Sequence, residues 1–160
     1  MMFEKFFDTP GKYQYRYKDC CRDIDLIEQQ QNQEHTIVFD VEKKIECFDL
    51  KPLVSNIKNV KVCDYVLINH TDKKILFCEL KNAKDKSDAI KQLRHSKNIV
   101  DCLINILDSN ISYKRGYVVI NKKSLNKGNT RKKWKLISGK HFKYIYTGRT
   151  SINFDKLNYE

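Results

Sequence analysis

Residues 62–84 read Val62-Cys63-Asp64-Tyr65-Val66-Leu67-Ile68, then the polar turn Asn69-His70-Thr71-Asp72-Lys73-Lys74, then Ile75-Leu76-Phe77-Cys78-Glu79-Leu80-Lys81-Asn82-Ala83-Lys84. Two short runs rich in Val, Ile, Phe and Tyr, bounded by Asn, Asp and Lys, predict the two strands of a hairpin. Each run is apolar at successive positions and does not alternate. Strands of that kind are covered on both faces, which places this pair at the centre of an α/β or α+β domain.

A turn centred between Thr71 and Asp72 sets Asp64 directly opposite Glu79. Opposed residues share a face, with Cβ atoms about 5 Å apart. Lys81 joins that face by the strand period of two. Two carboxylates and an ammonium therefore converge at the open end of an otherwise oily hairpin. Like charges directly opposed are destabilising, so the pair calls for a counter-charge. Mg²⁺ (or Mn²⁺) suits it, because such ions take one or two carboxylates and complete their shell with water and substrate phosphate.

Asp64, fourteen intervening residues, and Glu79-Leu80-Lys81 on an apolar strand resemble the signature of the PD-(D/E)xK nucleases, the restriction-endonuclease-like superfamily. The resemblance spans residues 53–107. It implies a central mixed β-sheet flanked by helices and containing a βαβ unit. It implies Asp64 and Glu79 as metal ligands, with the Leu80 backbone carbonyl as another, and Lys81 orienting or activating the attacking water. A helix follows the motif strand in that family, often with an inward Gln, a position that Gln92 fills in the catalytic set, with an ordinary boundary residue as the alternative. Cys63 stands where the family pattern has Pro. An extra acid on the first core helix is also frequent there. Glu28 would supply it from a short helix expected over 23–33, with a solvated carboxylate as the alternative.

The tripeptide alone says little in a Lys-rich chain, since Glu42-Lys43-Lys44, Asp49-Leu50-Lys51 and Asp72-Lys73-Lys74 also fit it. Glu79 is set apart by the apolar strand before it, the Asp facing it and the helix after it. Asp49-Leu50-Lys51 is the rival, ending an apolar run with Asp40 upstream. Pro52 follows it directly, however, and no helical pattern comes next.

The 160 residues suggest a single domain, with a core over about 20–147, a basic loop at 121–135 and a tail at 148–160. No apolar stretch approaches the roughly 20 residues that cross a bilayer. Glu4 and Lys5 interrupt the apolar N-terminus, which does not read as a signal peptide, so a cytoplasmic setting is expected. Six cysteines then read as thiols, with Cys47, Cys63, Cys78 and Cys102 placed inside strands or a helix. No Cys/His spacing of the zinc type occurs. The net charge of +11, from 31 basic against 20 acidic residues, favours a polyanionic partner, nucleic acid before an acidic membrane surface. A Lys-, Asn- and Ile-rich composition from AT-rich coding is the plainer explanation.

Along the chain, the aromatic and cationic residues of 1–19 read as an edge strand or packed arm ahead of a base-stacking surface. Residues 36–41 and 45–50 read as a second hairpin turning at Glu42-Lys43-Lys44. Glu46 there is a further candidate acid or a salt-bridge partner. Residues 52–59 are a connection. A helix capped by Ser87 or Asp88 carries Ile90, Leu93, Val100, Ile104 and Leu107 at helical spacing, widened by Ile99 and Leu103. Lys84, Lys86, Lys91, Arg94 and Lys97 give it a basic flank. Residues 113–121 form the strand that completes the βαβ unit. Lys122, Lys123, Lys127, Arg131, Lys132 and Lys133 read as a phosphate-gripping loop ahead of a solubilising one, with Trp134 packed in the core. Residues 142–147 make the last strand.

The function expected is Mg²⁺-dependent hydrolysis of phosphodiesters, with DNA preferred over RNA by the resemblance. The alternative is a non-catalytic basic nucleic-acid-binding protein with a nuclease-like fold. A third reading, a ribonuclease acting through His35, His70, His95 or His141, finds no recognisable pair. A homodimer stays open as an assembly.

Overall fold

The computed structural model of the chain describes residues 24–30, 33–81, 87–107, 110–121, 133–137, 140–146 and 151–160. At the centre, β4 (Tyr65–Asn69) and β5 (Lys74–Lys81) form the expected antiparallel hairpin, in register from Tyr65 opposite Cys78 to Asn69 opposite Lys74. Buried Asn69 shapes the reversal. Its Oδ1 accepts the Asp72 N–H at 2.9 Å, and its Nδ2 donates to Asp72 Oδ2 at 3.0 Å. This is the Asx-type turn for which Asn is favoured. Lys73 completes the turn in the left-handed region, at φ 52°.

The hairpin lies inside a six-stranded mixed sheet ordered β3-β4-β5-β6-β8-β7, adding β3 (Glu46–Phe48), β6 (Lys114–Asn121), β7 (Lys133–Ile137) and β8 (Lys140–Tyr146). β5, β6 and β8 run parallel, while β3 and β7 are antiparallel to their neighbours β4 and β8. Between β5 and β6 the chain forms α2 (Ser87–Leu107), which makes the βαβ unit. A second sheet of three strands, β1 (Ile24–Gln30), β2 (Gln33–Asp40) and β9 (Ser151–Asn153), is ordered β1-β2-β9.

Continuous apolar runs in β4 and β5 follow from what covers them. Val66, Ile68, Ile75 and Phe77 pack with Leu93, Val100 and Ile104 of α2. On the opposite face, Leu67, Leu76, Cys78 and Leu80 pack with Phe39, Ile152, Phe154 and Leu157. Burial of each such side chain is worth about 1.5–3 kcal/mol, so neither face tolerates polar alternation. The class is mixed α+β. Among the described residues one long helix covers one face, and the other is covered by the three-stranded sheet and the C-terminal segment, where flanking helices were expected. No described helix is long and apolar enough to cross a membrane.

Several expectations are corrected. Residues 24–30 are strand, because β1 pairs with β2 along its whole length, from Ile24 opposite Phe39 to Gln30 opposite Gln33. Residues 36–41 and 45–50 do not form a hairpin: β2 and β3 belong to different sheets, and the intervening chain buries Val41 and Ile45 on the way. The connection after Leu50 begins with a one-turn helix, α1 (Lys51–Val54), with Pro in its first turn, where a missing N–H costs nothing. Residues 133–135 of the expected basic loop open β7. The expected tail contains β9, and beyond it Phe154 and Leu157 are buried. Cys47, Cys63 and Cys78 are buried thiols as expected, but Cys102 is exposed on α2.

Candidate functional site

Continuing the β4–β5 register one step past its last pair sets Asp64 across from Glu79, and the side chains bear out that extension. Leu80 N–H donates to Asp64 Oδ2 at 2.8 Å, and Asp64 N–H donates to Glu79 Oε2 at 3.1 Å. Each carboxylate thus caps the other strand's backbone where the ladder ends, satisfying amides that would otherwise be buried unpaired. Both acids are buried, Asp64 at 8% and Glu79 at 1% exposure.

Lys81 lies on the same face. Its Nζ is 2.6 Å from Glu79 Oε1 and donates to Gln92 Oε1 at 2.9 Å. Gln92 is held in turn, because its Nε2 donates to the Val62 carbonyl at 3.2 Å. One turn further along α2, buried Ser96 accepts the Cys63 N–H at 2.8 Å and donates to the Gln92 carbonyl at 2.9 Å. The helix therefore fastens the chain just before Asp64 and the ammonium beside Glu79. Asp64, Glu79, Lys81 and Gln92, each expected at the site, come together here.

Sequence reasoning sets Asp49-Leu50-Lys51 as a rival motif and gives Lys51 no place beside Asp64. Lys51 Nζ reaches Asp64 Oδ1 at 2.7 Å from α1. The tripeptide Asp49-Leu50-Lys51 is therefore a neighbour of the Asp64–Glu79 pair, while Asp40, its supposed partner, accepts Asn153 Nδ2 in the second sheet at 3.2 Å. Four ionisable groups therefore cluster, two carboxyls between two lysines. Burial first, then the charge of Asp64, push the Glu79 carboxyl up to about 8 against the downward pull of Lys81. At Lys51, burial works against the ammonium, but the charge and hydrogen bond of Asp64, with the charges of Asp49 and Glu79, raise the pKa on balance.

The donor set suits a hard divalent cation. All four carboxylate oxygens accept one hydrogen bond, and each has a second lone pair. In an antiparallel ladder one residue directs its N–H and C=O to the same side. The Leu80 carbonyl accordingly faces the side on which Asp64 stands. Among the described residues no group of three or more His, Cys, Asp or Glu side chains converges on a metal position. An ion here would hold two carboxylates and this carbonyl, with water or phosphate filling the rest, the habit of Mg²⁺.

Other expected residues are placed elsewhere. Glu28 lies on β1, opposite His35, in the sheet packed on the face away from α2, so the helix meant to present it is not there. Glu46 is buried about 13 Å along the strands from the site, opposite Ile68, with Oε2 2.6 Å from His70 Nε2. His70 Nδ1 lies 2.9 Å from the Tyr113 hydroxyl, so this histidine serves the turn end of the hairpin. Lys91 and Arg94 are exposed on α2, and Lys133 begins β7 opposite Tyr144. Lys84, Lys122, Lys123, Lys127, Arg131 and Lys132 lie outside the described residues. No family model, curated protein or solved structure matches the chain.

Proposed function

We propose that the protein is a Mg²⁺-dependent nuclease of the PD-(D/E)xK, restriction-endonuclease-like kind, with DNA as its substrate. The observation that carries this reading is the juxtaposition of Asp64 and Glu79 across the end of one hairpin, with Lys81 pinned between Glu79 and Gln92. Asp64, Glu79 and the Leu80 carbonyl would hold the cation. When bound, such an ion polarises the phosphate and lowers the pKa of a water.

The chain's own residues do the rest. Lys81, restrained on two sides, orients the attacking water and offsets negative charge that grows on the phosphate oxygens. Water oxygen bonds to phosphorus, a P–O ester bond breaks, and one phosphomonoester and one alcohol result. Gln92 keeps the Lys81 ammonium on that line and has no need to touch the substrate. Lys91 and Arg94, on the solvent side of α2, and the +11 net charge supply affinity without sequence readout.

Supercoiled plasmid incubated with Mg²⁺ tests the reading. Wild type is expected to nick it, EDTA to stop the reaction, and Glu79→Gln to abolish cleavage while DNA binding persists. Binding without any cleavage by wild type would leave the non-catalytic binding protein as the better description.

A further inference from the structure

Lys51 and Lys81 both pair with a site carboxylate, but they are held differently. Lys81 has two side-chain partners, and 22% of its side chain is exposed. Lys51 reaches Asp64 Oδ1 from outside, with 56% of its side chain exposed against 10% for Asp64. Its backbone, by contrast, is fixed. Buried Leu50 and Val54 anchor α1, Asp49 Oδ1 accepts the Lys51 N–H at 2.7 Å, and Leu53 N–H closes the turn on the Leu50 carbonyl at 3.0 Å. The result is a flexible four-carbon stem on a rigid base, its charge at the mouth of the site.

The two oxygens of Asp64 also differ. Oδ2 is turned inward onto the Leu80 amide, so Oδ1 is the oxygen a cation arriving from solvent would meet, and Lys51 sits on it. An ammonium and a divalent ion on one carboxylate oxygen repel at contact distance. Lys51 has a place to go, because a phosphodiester bound at that mouth brings anionic oxygens within reach of its stem.

We propose that Lys51 is an exchangeable counter-ion of the site. It neutralises Asp64 while the metal is absent, yields Oδ1 to the metal, and then grips the phosphate of the nucleic acid. The inference rests on the nuclease reading above and assigns Lys51 a second task within it. Lysine suits that task as a compact point charge on a mobile stem, which arginine with its planar fork does not reproduce in full.

The full chain tests this in two measurements. In the first, Mn²⁺ is titrated calorimetrically into wild type, Lys51→Gln, Lys51→Arg and Asp64→Asn. Lys51→Gln is expected to bind Mn²⁺ about two- to fivefold more tightly, the range that removal of a part-exposed ion pair supports, and Lys51→Arg, which keeps a cation on Asp64, to bind it no more tightly than wild type. In the second, binding of a short fluorescent duplex is followed against salt, in Ca²⁺ and in EDTA. With Ca²⁺, Lys51→Gln is expected to weaken binding and to reduce the salt slope by about one phosphate contact. In EDTA, where Lys51 stays on Asp64, wild type and variant are expected to bind alike. Unchanged or weaker Mn²⁺ binding by Lys51→Gln, or an equal loss of DNA affinity with and without Ca²⁺, would overturn the exchange while leaving the nuclease reading intact. A wild type that takes up no Mn²⁺, or takes it up as well after Asp64→Asn, overturns both.

Discussion

Glu79 is a carboxylate in a strand interior, opposite another carboxylate, with 1% of its surface exposed. Burial and Asp64 raise its pKa from 4.5 to about 8 even though Lys81 touches it. A group whose folded pKa lies above its unfolded one contributes stability that is complete below the unfolded value and lost as pH rises through the folded value. Metal-free protein is therefore expected to lose urea-unfolding free energy between about pH 4.5 and 8, and Glu79→Gln to flatten that decline. Under the proposed nuclease reading, Mg²⁺ binding should displace the Glu79 proton, so affinity rises with pH over the same window. Calorimetry in buffers of different ionisation enthalpy would register the released proton. Under the proposed nuclease reading, Gln92 acts as a positioning residue through its bonds to Lys81 and the Val62 carbonyl. Gln92→Ala leaves Lys81 without its second tether and is expected to lower kcat about tenfold or more with little change in KM, since misplacement harms the transition state more than binding. A KM rise with constant kcat would instead make Gln92 a substrate contact.

At the scale of elements, the site is one hairpin end fastened to one helix turn. Ser96 carries that fastening, because its hydroxyl is buried and takes the Cys63 N–H. Ser96→Ala strands that amide, at a cost of about 1–3 kcal/mol, or about 2–4 °C of Tm for each kcal/mol in a chain of this size. It also frees the residue before Asp64, so cleavage should fall as stability falls. The hairpin was legible because everything that sets it is local. Asn69 and Asp72 make the turn, and the turn's centre decides that Asp64 faces Glu79. The helix was legible through its apolar spacing. β1 was misread as a helix because Ile24 and Ile27 are three apart and the Gln run has no period, while β2, the partner that makes it a strand, is a tertiary fact. The Asp49-Leu50-Lys51 motif ranks second because Pro52 follows it, yet Pro52 is tolerated in the first turn of α1, which carries Lys51 to Asp64.

For the whole molecule, the sheet divides two jobs between its faces, and long-range pairings invisible to local pattern build the second one. β9 lies parallel to β2, with Ser151 opposite Val38, and the residues after β9 return over the sheet face away from α2. There Arg115 N–H donates to the Glu160 carbonyl at 2.7 Å, Glu160 N–H returns a bond to the Arg115 carbonyl at 3.0 Å, and Tyr159 packs over Gly116. Gly116 lies opposite Leu76, whose side chain belongs to that far face, whereas Asp64, Glu79 and Lys81 share the face toward α2. A Cβ on Gly116 would stand 2.9 Å from the Tyr159 ring and 3.0 Å from the Asn158 carbonyl oxygen. A ring can rotate aside, but a backbone carbonyl moves only with its segment. Gly116→Ala is therefore expected to lift the C-terminal segment and cost about 1–3 kcal/mol by overpacking, seen as a lower urea midpoint. Because the displaced atoms lie across the sheet from the acids, kcat at a temperature where the variant is folded should match wild type. That outcome contrasts with Ser96→Ala, which should lose stability and activity together. A Gly116→Ala variant with normal stability, or with a kcat deficit while folded, would contradict this division of labour between the two faces.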